Sequence, residues 1–291
     1  MSSADLLHTR VAILGLGLMG GSLAMALRGR CQTLFGADPD PTTVRMASQR
    51  RIVDRATQDP AEILPQSDLV VLAAPVSAIL DLILQLPDLH PGQAVVLDLG
   101  STKAEITRAL ATLPERFDPL GGHPMCGKDK LSLTNADPDL FRGAVFTFTP
   151  LPRTTLRGRA LAEQLARIIG AHPMWLDPQT HDRWTAATSH VPYLVAAALA
   201  GATPAEAAPL VGPGFRSTTR LAATPTSVTL GMLATNRAEI LAFLGHFRQW
   251  LDALEGALNS QDWVVLKEFL DEAARRQAGF RNSSQLRNFQ S

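Results

Sequence analysis

Short apolar runs alternate with stretches of helical spacing through the first half of the chain. Val11–Leu14, Thr33–Ala37, Leu69–Ala73 and Ala94–Leu99 are continuous or nearly continuous apolar runs, the pattern of strands buried on both faces. Helical patterns follow them at Gly21–Arg28, Pro41–Arg50, Ser77–Leu84 and Lys103–Leu113. Such alternation predicts an α/β fold with a parallel, doubly wound sheet. Ala144–Thr149, Leu156–Ile169 and Pro173–Leu176 read as a further strand–helix–strand that extends it.

After Asp177 the pattern changes to alanine- and leucine-rich helical segments, and no strand pattern follows. The expected organisation is an N-terminal domain over 1–177 and an all-α domain over 178–291. Ile240, Leu244, Phe247, Leu251, Leu254 and Leu258 recur at 4-3-4-3-4 spacing, a heptad seam for lengthwise helix packing. That seam serves packing within the subunit or a homodimer through the C-terminal helices equally well. The polar stretch Gly279–Ser291 is expected to fray.

The chain has 291 residues, with 46% hydrophobic and 19% charged, values of a folded globular protein. Basic and acidic residues balance at 27 each, so no global basic field exists to hold nucleic acid or an anionic membrane. An anionic small-molecule substrate would have to be held locally, by a few placed groups. The N-terminus lacks a signal-peptide core, and Val191–Ala202, the longest apolar stretch, is shorter than the roughly 20 residues of a membrane span. The two cysteines, Cys31 and Cys126, supply no disulfide framework and no paired metal motif. A cytoplasmic protein without a metal is expected.

Gly15, Gly17 and Gly20 fall in GxGxxG spacing between the first predicted strand and helix. These glycines permit a tight turn, backbone approach to a pyrophosphate and close helix–strand packing. Leu16, Leu18 and Met19 complete a loop whose backbone N–H groups and helix N-terminus suit phosphates. Asp38 ends the second strand 18 residues beyond Gly20, where a carboxylate can accept from the ribose hydroxyls and repel a 2′-phosphate. A Rossmann-type domain binding NAD, rather than NADP, is expected. Ala74 and Pro75 end the third strand and are expected to pass under the cofactor, although Pro75 could also serve only to stop the strand.

Leu97–Lys103 runs from strand to helix and brings Ser101 near the carboxyl edge of the sheet. His123 lies 20 residues beyond Lys103 in Gly121-Gly-His-Pro-Met-Cys-Gly127, read as a loop stiffened by glycine and proline. A loop histidine is more often a surface residue; the rigid surroundings and an imidazole able to take a proton near neutrality favour a chemical role.

At this point the chain resembles the prephenate/arogenate dehydrogenases of tyrosine biosynthesis. The matching segments are Gly15–Ser22, Gly100–Lys103, Gly122–Gly127, Ser189–Pro192 and Gly214–Arg220, in the family's order, over about three-quarters of the chain. The resemblance implies oxidative decarboxylation of a carboxylated cyclohexadienol: hydride leaves for the nicotinamide, CO2 leaves the opposite carbon, and the ring becomes aromatic. It implies that His123 takes the ring hydroxyl proton, that Ser101 bonds both His123 and that hydroxyl, and that Arg220 clamps a substrate carboxylate. A guanidinium fork suits that last role. The active site is expected in a cleft between the two domains. The chain's length is taken to leave no room for a chorismate mutase or regulatory domain.

Other local readings stand beside these. A Cys126–His123 nucleophile finds no orienting partner, and zinc at the same pair finds no second ligand pair. Lys103 is expected to be solvated or near phosphate, and His190 to be a core histidine bonded to backbone. Lys128 and Asp129 face the substrate or are ordinary loop charges. Many relatives carry an acid at the position of Ser217, able to pair with a histidine at that of His181; serine cannot, which puts a gating role for His181 in doubt. Tyr193 occupies a position near the substrate side chain in the family. The alternatives are an amino-deoxyprephenate or β-hydroxyacid dehydrogenase, or a non-catalytic NAD-sensing protein.

Overall fold

A computed structural model describes residues 5–128 and 130–286. The strands are β1 (Arg10–Leu14), β2 (Thr33–Ala37), β3 (Arg55–Thr57), β4 (Leu69–Leu72), β5 (Ala94–Asp98), β6 (Phe117–Pro124), β7 (Val145–Pro150) and β8 (His172–Trp175). They form a single sheet in the order β3-β2-β1-β4-β5-β6-β7-β8. All neighbours are parallel except β6 and β7, which run antiparallel with His123 opposite Thr147.

Side-chain alternation along the strands builds two separate cores. Val11, Ile13, Val71, Val95 and Leu97 pack with Leu23 and Leu27 of α1 (Leu18–Leu27), Ala47 of α2 (Pro41–Gln49) and Leu161 and Leu165 of α5 (Leu156–Ile168). Their neighbours Ala12, Leu14, Val70, Leu72 and Val96 face Ile79, Ile83 and Leu86 of α3 (Val76–Leu89) and Ile106 and Leu110 of α4 (Ala104–Ala111). Helices on both faces explain why these strands read as unbroken apolar runs. Strand order reverses between β1 and β4, so the carboxyl ends of those two strands flank the crevice where such sheets hold ligands.

Two strands escape the apolar pattern. β3 is three residues long. β6, Phe-Asp-Pro-Leu-Gly-Gly-His-Pro, carries proline and glycine, which argue against a strand. His123 therefore lies on a strand of the sheet, and the loop expectation is corrected. A Cβ on Gly122 would stand 2.8 Å from Asp98 O and 2.9 Å from Leu97 Cδ1, so glycine there lets β6 lie against the end of β5.

Beyond the sheet, Asp177 caps α6 (Pro178–Thr185), its side chain accepting from Thr180 N–H. That helix continues through a π-turn, Ala186–His190, into α7 (Val191–Ala202). Next come α8 (Pro213–Thr219), a 3-10 turn at Arg220–Ala223, and α9 (Thr226–Thr235). The chain divides into compact units at 1–237 and 238–291. The second unit consists of the long helices α10 (Arg237–Asn259) and α11 (Trp263–Leu286), which meet where Trp250 packs edge-on to Phe269 at 5.4 Å. The heptad seam lies on α10: Ile240 is buried, whereas Leu251 and Leu258 are 48% and 54% exposed. α11 continues to Leu286, past the point expected to fray, and 287–291 lie outside the described residues.

Candidate active site

The chemistry gathers where β5 and β6 end. Asp98, fully buried, accepts from Gly100 N–H at 2.8 Å and from Gly122 N–H at 3.1 Å. Its carboxylate also pairs with the Lys103 ammonium, which donates to Gly122 O at 2.6 Å. One buried pair thus ties the segment carrying Ser101 to the strand carrying His123. Burial pushes Asp98 up and Lys103 down, and each partner's charge opposes the other's shift. Lys103 is therefore neither solvated nor a phosphate ligand: the start of α4 turns its side chain inward, onto the carboxylate five residues back.

A second acid, Asp182 on α6, closes the N-terminus of α4. Its Oδ1 accepts from Lys103 N–H at 2.7 Å and its Oδ2 from Ala104 N–H at 2.8 Å, groups that the helix itself leaves unpaired. Oδ1 also meets His181 Nδ1 at 2.8 Å, and His181 Nε2 meets His123 Nδ1 at 2.9 Å. His181 and Asp182 are each 1% exposed. His181 is thus a direct partner of His123, while Ser217 lies exposed on α8. His190 is buried as expected, but its Nδ1 meets the Asn236 side chain at 3.0 Å rather than backbone. Asn236 in turn donates to Asp182 O at 2.8 Å.

His123 is held well below the ordinary imidazole range, first by burial and then by His181, Lys103 and His190. Burial likewise lowers His181, against the pull of Asp182, and brings His190 to about 4. Burial raises the Cys126 thiol to about 11, so no thiolate is on hand beside His123. Lys128 pairs with Asp137 on the surface at 2.8 Å, and Asp129 lies outside the described residues. Tyr193 OH accepts from Thr229 Oγ1 at 3.3 Å.

Ser101 and His123 line one cavity of about 290 Å³ with Gly17, Leu18, Met19, Ala73–Val76, Cys126 and Val228. They share no hydrogen bond in this structure. A second cavity, about 460 Å³, is lined by Gly15, Gly17, Asp38, Gln58 and Ala73–Pro75. Gly17 and Ala73–Pro75 line both. Gly15 has φ +96° and lies so close to Ala73 O that a side chain could not be accommodated. Asp38 Oδ2 accepts from Leu16 N–H at 2.8 Å and Oδ1 from Asp40 N–H at 3.0 Å, which leaves lone pairs for a ribose. Leu16 and Gly20 line neither cavity; the Leu16 side chain is buried in the core. Leu18 N–H donates to Leu131 O at 2.7 Å. Arg220, itself exposed, opens the turn packed on α7 and lines neither cavity.

Two domain families match in succession, the prephenate dehydrogenase nucleotide-binding domain over residues 23–172 and the prephenate dehydrogenase dimerization domain over 177–272. The chain belongs to the prephenate dehydrogenase family. Among members of this family of oxidoreductases, the Lactococcus lactis subsp. cremoris prephenate dehydrogenase is 29% identical over 96% of this chain and 80% of its own. The crystal structure of Aquifex aeolicus prephenate dehydrogenase in complex with hydroxyphenyl propionate and NAD+ superposes with a TM-score of 0.86. It is 26% identical and covers 94% of this chain and 98% of that one. The Synechocystis arogenate dehydrogenase structure has a TM-score of 0.80 at 29% identity, over 93% of this chain and 99% of that one. The residues that sequence reasoning missed are Asp98, Asp182 and Asn236. Asp98 stood inside a quoted motif; nothing in sequence marked the other two.

Proposed function

We propose that the chain catalyses the NAD-dependent oxidative decarboxylation of prephenate or arogenate, to 4-hydroxyphenylpyruvate or tyrosine. The observation that carries this reading is that the His123–Ser101 cavity and the Gly15–Asp38 cavity adjoin, with Gly17 and Ala73–Pro75 forming the rim common to both. A dinucleotide laid across that rim would have its adenosine ribose by Asp38 and its nicotinamide by His123. The Asp38 carboxylate favours NAD over NADP, because a 2′-phosphate beside it would be repelled. The bound nicotinamide supplies the hydride acceptor.

His123 does the protein's acid–base work in this reading. Its Nδ1 is engaged by His181, which leaves Nε2 for the substrate's ring hydroxyl. As hydride leaves the hydroxyl-bearing carbon, Nε2 takes the hydroxyl proton. The electrons of the bond to CO2 then pass into the ring, and the phenolate oxygen recovers the proton from His123. Aromatisation drives the step, so the protein's share is alignment and one proton. Ser101 shares the cavity, which supports a second hydrogen bond to the same hydroxyl. Arg220, which lines neither cavity, is assigned to a substrate carboxylate on the family resemblance of Gly214–Arg220 alone.

The two family matches support a functional boundary near 177, with the nucleotide-binding part before it and the substrate and dimerisation part after it. A homodimer is supported by the named dimerization domain and by the exposed Leu251 and Leu258 on α10. The deciding assay follows reduced nicotinamide with prephenate and arogenate, each offered NAD and NADP. Turnover is expected with NAD and at least one of the two acids. Absence of turnover in all four combinations would discard the reading, and a preference for NADP would discard the role of Asp38.

A further inference from the structure

The hydrogen bonds around His123 run in one direction only. Both oxygens of Asp182 receive backbone N–H groups, from Lys103 and Ala104, and those groups can only donate. A carboxylate so surrounded is an acceptor, so the His181 Nδ1 at 2.8 Å from Oδ1 must carry hydrogen. In a neutral imidazole the other nitrogen is then a bare lone pair. His181 Nε2 therefore accepts, and His123 Nδ1, at 2.9 Å, must be the donor. This leaves His123 Nε2 without a proton.

We propose that Asp182 and His181 are positioning residues that hold His123 in the one neutral tautomer able to accept a proton from substrate. The proposal rests on the reading of His123 as the base. The same chain serves the charged form: when Nε2 takes a proton, the added charge lies on a ring whose Nδ1–H leads through His181 to a carboxylate. The other groups facing the two imidazoles are the Lys103 ammonium, the Asp98 carboxylate and His190. Lys103 and His190 disfavour a resting positive charge, so the tautomer is set in the neutral ring. Were the His181 proton to move to Nε2, His123 Nδ1 would become the acceptor and Nε2 would carry the hydrogen. The base would then be blocked while every heavy atom kept its place.

Nitrogen-15 spectra of histidine-labelled protein read this tautomer directly, in the free protein and without an assay. The His123 signal is identified by its loss in His123→Gln. Wild-type protein at neutral pH is expected to show His123 with Nδ1 protonated and Nε2 bare; a protonated Nε2 overturns the proposal. His181→Leu is expected to mix the tautomers and lower kcat by about tenfold or more, within the roughly 10²–10⁴-fold worth of the base itself. KM and NAD affinity should stay near wild type. His181→Gln, whose amide oxygen can accept from His123 Nδ1–H, should recover most of that loss. A His181→Leu variant with unchanged tautomer and unchanged kcat also overturns the proposal. If His123→Ala turns over normally while the wild-type spectrum is as expected, the base assignment fails and the tautomer device stands.

Discussion

In its proposed role as the base, His123 works only while its ring is neutral, and its surroundings favour that form. With its affinity for protons pushed well below 6.5 by burial, His181, Lys103 and His190, the free enzyme keeps the base form across neutral pH. The acid limb of kcat/KM is therefore expected below pH 6.5; a limb centred at or above the ordinary imidazole value would mean that another group titrates. Replacing His123 by alanine should lower kcat by about 10²–10⁴-fold, with NAD binding measured by fluorescence left nearly intact. Arg220 has a different signature. As a clamp on a carboxylate that persists through hydride transfer, it should act mainly on KM, so Arg220→Leu is expected to raise KM for substrate at least tenfold while kcat changes less. An unchanged KM would remove Arg220 from the site.

At the scale of elements, the site depends on how three segments are pinned: the β5–α4 connection, the end of β6, and α6. The Lys103–Asp98 pair binds the first two and the Asp182 carboxylate binds the first to the third. Lys103→Met would strand a fully buried carboxylate, which typically costs about 3–5 kcal/mol. Urea unfolding should show that loss, partly recovered in Lys103→Met/Asp98→Asn; a change under about 1 kcal/mol would show the pair to be dispensable. These pins also mark where legibility in the sequence ended. β1, β2, β4 and β5 were readable because burial on both faces leaves continuous apolar runs. β6 was not, because its glycines answer to neighbours on β5 and β7 that no local pattern reports. Lys103 read as solvated or near phosphate because local spacing does not show its side chain turning back onto Asp98, nor its helix start capped from α6.

The whole molecule has two further properties to test. The exposed apolar residues of α10 imply a covering surface, and the proposed homodimer supplies it; Leu251→Glu with Leu258→Glu should shift the sedimentation coefficient from dimer to monomer. A dimer unaffected by both charges would place the interface elsewhere. Stability should also depend on pH through the half-buried His123 and the buried His181 and His190. In the folded state His123, His181 and His190 all titrate below 6.5, His190 near 4, whereas the unfolded chain takes up protons near 6.5. The contribution is therefore full above that value and is lost as pH falls from 6.5 toward 4. The melting temperature should drop between neutrality and about pH 5, and a flat profile would show these rings to be charged or exposed.

From its order of residues alone this chain determines the layered sheet, the glycine turn with its acid at the next strand, and which histidine lines the cavity beside Ser101. All of these are written in local spacing: period, turn chemistry and motif order. Tertiary structure alone decided that the histidine sits on a strand, that Lys103 is buried on Asp98, and that His181 and Asp182 stand behind His123. Lys103 and Asp98 are five residues apart, but the turn that brings them together is held by contacts between residues some 20 to 80 positions apart, which only the folded backbone brings within hydrogen-bonding distance.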